Sequence, residues 1–238
     1  RGELITTFAL KDPESGEPLD VRDVEPQFDG SLRVTAHRKR GVLQFSSDGR
    51  FIAGLGLGQI AVPSSLAIMP DGRTAVVDIG SHSIFLLSPR GDVLKKYPYV
   101  FNGGLACAES FDLGVDGKGG IYLLDGVRKK IRVFSESSSE ERTFPVRIFS
   151  PVVRLSVSPS GILSVLNMKS TQISFYSAEG RQIAKLENDL KDSTPFLVRP
   201  CSVLMNKENR VFIADTWQFE ILEIQFNSKQ WYNRNGNP

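Results

Sequence analysis

Five times along the chain an 18-residue pattern returns: a Gly- or Asn-bearing polar turn, an apolar run, a short polar loop and a second apolar run. The copies read "FDGSLRVTAHRKRGVLQF" (28–45), "PDGRTAVVDIGSHSIFLL" (70–87), "GKGGIYLLDGVRKKIRVF" (117–134), "PSGILSVLNMKSTQISFY" (159–176) and "KENRVFIADTWQFEILEI" (207–224). Aligned on the residue that closes the first run, the markers are Ala36, Asp78, Asp125, Asn167 and Asp215, spaced by 42, 47, 42 and 48 residues. Such a period means stacked copies of one supersecondary unit, none of which buries its apolar face alone.

Each period holds about four short strands. A strand precedes the quoted pair, as in "SSLAIMP" (64–70) and "ESFDLGV" (109–115). Another follows a turn such as "SSDGR" (46–50), "SPRGD" (88–92) or "SAEGR" (177–181), where Gly suits a positive φ. Four antiparallel strands per 40–45 residues is the signature of a β-propeller blade. The expected fold is all-β, a single propeller over 1–238, with blades near 20–55, 62–97, 108–148, 152–187 and 200–226. In Ile131-Arg132-Val133-Phe134 and Ile221-Leu222-Glu223-Ile224 a charge is tucked between apolar neighbours, which agrees with strand alternation.

The fifth copy has no good fourth strand. The N-terminal "RGELITTFAL" looks like an orphan one, with Gly2 matching the turn glycines Gly49, Gly91 and Gly180. Pairing 3–10 with the last blade closes a five-bladed ring and removes two open edges; six blades is the alternative.

The repeats resemble those of the NHL family. The second copy carries Pro63, Leu66, Ala67, Asp71-Gly72, Asp78, His82, Ile84 and Gly91, with Ser81 in place of the namesake Asn. The third keeps Asp116-Gly117, Asp125, Ile131 and Phe134, the fifth Asp215 and Ile221, while the first and fourth are weaker. The resemblance implies a propeller like that ending tripartite-motif (TRIM) ubiquitin ligases. Several of those bind RNA and others recruit proteins, and related propellers include amidating lyases and lactonase-like enzymes. It also implies a RING finger, B-boxes and a coiled coil upstream.

The loop between second and third strands and the linker between blades lie at the same end of each blade. Collected there are Arg38, Lys39 and Arg40, then His82, Arg128, Lys129, Lys130 and Lys169, with Tyr99, Arg147 and Arg199 from linkers and Trp217 from the last loop. Cations for phosphate and π-faces for bases are what a single-stranded RNA needs. A net charge of only +2 conceals this clustering. Recruitment of protein partners or ubiquitination substrates is the competing reading, because Arg and Trp also favour interfaces.

Asp78, Asp125 and Asp215 recur at one position per copy, which points to a structural brace rather than a catalytic group. Two histidines, His37 and His82, are too few for a histidine-rich zinc site. No nucleophile elbow, phosphate-cradling loop or Cys-x-x-Cys is present, and "GLGLG" (54–58) does not open a helix. The expectation is therefore a non-catalytic, monomeric binding module without cofactor or metal. Lactonase- or lyase-like chemistry is kept as a third possibility that would need converging metal ligands. Two cysteines, Cys107 and Cys201, make no disulfide framework, and no apolar stretch has membrane-spanning length. A cytoplasmic protein without membrane contact is expected.

Overall fold

The computed structural model describes residues 7–36, 38–99, 110–150, 153–168, 171–187, 197–217 and 220–225. The described residues form five antiparallel sheets in chain order, four of four strands and one of three, the blades of a propeller. They fall into two compact units, residues 1–105 and 106–238.

The first unit holds two blades. Blade one consists of β1 (Val21–Pro26), β2 (Leu32–Ala36), β3 (Val42–Phe45) and β4 (Phe51–Leu55). Blade two consists of β5 (Pro63–Ile68), β6 (Thr74–Asp78), β7 (Ser83–Leu87) and β8 (Val93–Pro98). In each, every strand pairs with the next in sequence, so all turns are local hairpins. The core sits between the sheets: Val42, Leu55, Ile60, Leu66, Val76, Phe85 and Leu87 form one buried cluster. Each such side chain contributes roughly 1.5–3 kcal/mol on leaving water.

The second unit holds three blades. Blade three is β9 (Phe111–Val115), β10 (Ile121–Asp125), β11 (Lys130–Ser135) and β12 (Ser138–Pro145). Blade four is β13 (Val153–Val157), β14 (Leu163–Asn167), β15 (Gln172–Tyr176) and β16 (Gln182–Leu186), and blade five β17 (Pro200–Met205), β18 (Arg210–Asp215) and β19 (Glu220–Gln225). One apolar cluster, including Tyr122, Ile131, Phe144, Val153 and Leu163, fills the space between blades three and four. Another, including Leu166, Phe175, Val203 and Ile213, fills that between four and five.

Middle strands are covered on both faces by neighbouring blades. That is why β6, β7, β10, β14 and β15 are buried at every position and read as continuous apolar runs. The same cover encloses Arg132. This side chain is buried on β11, and its guanidinium meets Asp125 at 3.7 Å and Glu141 at 2.6 Å. The alternating, half-exposed pattern survives on β19, where Ile221 is 74% exposed.

Two relations recur between adjacent blades. A first-strand side chain accepts from the next blade's first-strand backbone: Asp23 from Leu66 N–H at 2.8 Å, Asp112 from Leu155 N–H at 2.7 Å, Ser156 from Met205 N–H at 3.0 Å. The turn glycine before a fourth strand lies flat on the fourth strand of the preceding blade, Gly91 on Leu55 and Gly180 on Phe144. Gly49 of blade one lies in the same way on Phe8, and Leu10 and Leu19 cover Val34, Leu43 and Phe45. Residues 7–10 themselves form no strand and pair with none of the five sheets. Residues 1–6, and with them most of the closing strand expected at 3–10, lie outside the described residues.

Candidate binding site at the loop ends of the blades

The chemistry of these loop ends begins with the strand-closing carboxylate. Asp78 is fully buried and accepts from Ala61 N–H at 3.0 Å, Val62 N–H at 2.7 Å, Gly80 N–H at 3.1 Å and the Ser81 hydroxyl at 2.7 Å. Burial pushes its pKa up, but the hydrogen bonds from Ser81, Ala61, Val62 and Gly80 outweigh that and hold it below the ordinary carboxylate value. One carboxylate so ties the linker entering the blade to the loop leaving β6. Asp215 repeats the device at the end of β18, accepting from Val198 N–H at 2.7 Å and from Arg199 and Trp217 N–H, both at 3.1 Å. Asp125 holds Arg128, by its backbone N–H at 2.9 Å and its guanidinium at 3.3 Å.

Four residues after the brace, the loop ends on a left-handed residue: His82 (φ 50°), Lys129 (φ 55°) and Thr171 (φ 49°). His82, at the namesake position of the repeat, is therefore a turn residue. It is half-buried and stands edge-on to Tyr99 at 6.3 Å.

In the first unit the expected cations separate. Arg38 and Arg40 are exposed. Lys39 is held by Asp12 at 2.7 Å and Glu14 at 3.0 Å, and these hydrogen bonds, that to Asp12 foremost, raise its pKa. Tyr99 is only 4% exposed, so it packs with His82 instead of offering a face to a base. His37 lies outside the described residues.

In the second unit Arg128 is drawn back to Asp125, Lys130 is half-buried on β11, and Lys129 points to solvent. Val146 N–H donates to Lys129 C=O at 2.9 Å, which zips the following linker onto this loop. That linker exposes Arg147 and Phe149, the latter 73% accessible. At blade five, Asp215 binds the backbones of Arg199 and Trp217 together, while the Thr216 N–H and hydroxyl both donate to Arg199 C=O at 3.1 Å. An exposed arginine and a 65% exposed tryptophan are thereby tied together through their backbones. Among the described residues no carboxylate lies within ion-pair distance of Lys129, Arg147 or Arg199. Lys169 lies outside the described residues.

Sequence reasoning missed Phe149 and the acids that hold Lys39. Phe149 stood in plain view as an apolar residue in a linker, beside Arg147 in "VRIFSP". The acids lie in "KDPESGEPLD" (11–20), four carboxylates in ten residues just before the first repeat. Among the described residues no three His, Cys, Asp or Glu side chains converge as a metal site.

The arrangement is that of a β-propeller whose loop ends carry exposed cations and aromatics. No protein-family model matches the sequence, and neither does any curated protein. Solved structures do. Virginiamycin B lyase from Staphylococcus aureus superposes with a TM-score of 0.63 at 13% identity, over 87% of this chain and 70% of the enzyme. A catalytically inactive form of that lyase with quinupristin gives 0.66 at 12% identity, over 92% and 73%. A protein of unknown function from Bacteroides caccae gives 0.66 at 13% identity, over 89% and 79%. At such identities the likeness establishes the fold alone. It nonetheless corrects the expectation of a non-catalytic domain, because the same fold serves an enzyme in the lyase and so does not set this chain apart from enzymes.

Proposed function

We propose that the loop ends bind single-stranded RNA. The observation that carries this reading is that Asp215 ties the backbones of Arg199 and Trp217 at one loop end, where both residues are exposed: a cation for a phosphate and a π-face for a base. Lys129, Arg147 and Phe149 repeat that combination on blade three; in the first unit, Arg38 and Arg40 are exposed at that unit's own loop ends. The NHL-like residues of blade two support placing the domain with the propellers of tripartite-motif ligases; a full-length transcript with no RING finger or B-box upstream ends that part of the reading.

The test is fluorescence anisotropy with a labelled oligouridine at fixed salt. Arg199→Glu/Trp217→Ala, with unchanged circular dichroism, weakens binding more than about tenfold, since stacking on an aromatic is worth roughly 1–3 kcal/mol per base. Equal affinity in the folded variant overturns the reading. A protein captured by the wild type after nuclease treatment and lost in this variant, with no oligonucleotide binding, assigns the surface to protein recruitment instead.

A further inference from the structure

One of the two loops with three successive cations, residues 38–40, is partly occupied by the chain itself. Residues 11–18 fold back on themselves: Lys11 and Pro18 form a bridge, Asp12 N–H donates to Glu17 C=O at 2.8 Å, and Gly16 N–H returns to Asp12 C=O at 2.8 Å. Leu19 N–H bonds Leu10 C=O at 3.0 Å, so the fold-back is anchored at its base. Asp12 and Glu14 thus reach Lys39 with two carboxylates, leaving its side chain 18% exposed. Between the fold-back and the loop lies a cavity of about 360 Å³ that Asp12, Ser15, Glu17, Asp20, Arg38 and Lys39 help to line.

We propose that this acidic fold-back is a built-in competitor for the basic loop: Asp12 and Glu14 stand where phosphates would stand, and a polyanion must displace them to reach Lys39. The inference rests on the RNA-binding reading. Surface ion pairs of this kind hold weakly, so a chain of phosphates can outcompete them. The clasp sets a threshold without closing the site. Once it is lifted, Lys39 and Arg38 face the same cavity and the loop gains a usable cation.

The test uses the full chain and labelled oligouridine over a salt series. Asp12→Asn/Glu14→Gln binds about threefold or more tightly at low salt, and the slope of log K against log salt steepens by about 0.7, one more phosphate contact on a single strand. Adding Lys39→Gln to that variant cancels both changes. Asp48→Asn/Asp71→Asn, which removes two carboxylates from turns at the opposite ends of the blades, leaves the slope unchanged. An equal effect in that control, or no effect in the folded clasp variant while the wild type binds, overturns the clasp and leaves RNA binding standing. Absence of binding by the wild type and every variant overturns both.

Discussion

At the scale of single residues, one carboxylate organises the loop end in blades two, three and five. Asp78 has four donors converging on two oxygens, so Asp78→Asn turns an amide NH₂ toward groups that are themselves donors. The expected loss is about 2–4 kcal/mol, since buried N–H groups are left unpaired. The pH dependence has a fixed sign. The folded-state pKa of Asp78 lies below its unfolded value, so its contribution is complete above the unfolded value near 3.9 and is lost as pH falls through the folded one. Urea unfolding should therefore separate wild type from Asp78→Asn widely at pH 7 and progressively less below pH 4. A gap that stays constant to pH 2 would show that the charge is not what the hydrogen bonds hold. The brace was legible in the sequence because it recurs at one position per copy. The state of Lys39 was not, because its partners lie in a segment outside the repeat. Nor was the burial of Tyr99, since a linker aromatic turns inward or outward according to what packs beside it.

At the scale of elements, glycine position separates turns that merely bend from turns that also pack. Gly91 has φ +97°, and a Cβ there would lie 2.8 Å from the Leu55 Cα, in the backbone of the preceding blade's outer strand. Gly49 has φ +82°, with a Cβ landing 2.6 Å from the Phe8 ring. Gly58, at φ +76°, would meet nothing within 4 Å. Gly58→Ala should then cost about 1 kcal/mol, the strain of a left-handed alanine alone. Gly91→Ala should cost at least about 2 kcal/mol more, because backbone must move. Denaturant melts of the two variants measure the difference, and equal losses would mean that the blades do not press together at this turn. The turns, the five-fold repeat and the propeller class could be read from sequence because hairpin chemistry is local. The close approach of a turn to the preceding sheet could not, for it joins residues of different copies. Nor was the burial of Arg132 legible: alternation tells which residues share a strand face, but not that both faces of a middle strand are covered.

At the scale of the whole molecule, a fold shared with a lyase leaves function to the site, and here the site argument is one of charge placement. A net charge of +2 gives no general attraction to a polyanion. Any salt-dependent binding must then come from local cations, and the two members of the blade-five pair should fail in different ways. Arg199→Gln removes a phosphate contact, so it should weaken binding most at low salt and flatten the slope of log K against log salt by about 0.7. Trp217→Ala removes a stacking face, so it should weaken binding by a similar factor at every salt concentration and leave the slope as it was. Anisotropy titrations from low to physiological salt resolve the two. If both variants flatten the slope alike, the indole acts only by positioning the guanidinium. If neither changes slope or affinity, phosphate is not what Arg199 meets, and a protein surface that reads Arg and Trp together becomes the better account of why Asp215 ties their backbones together.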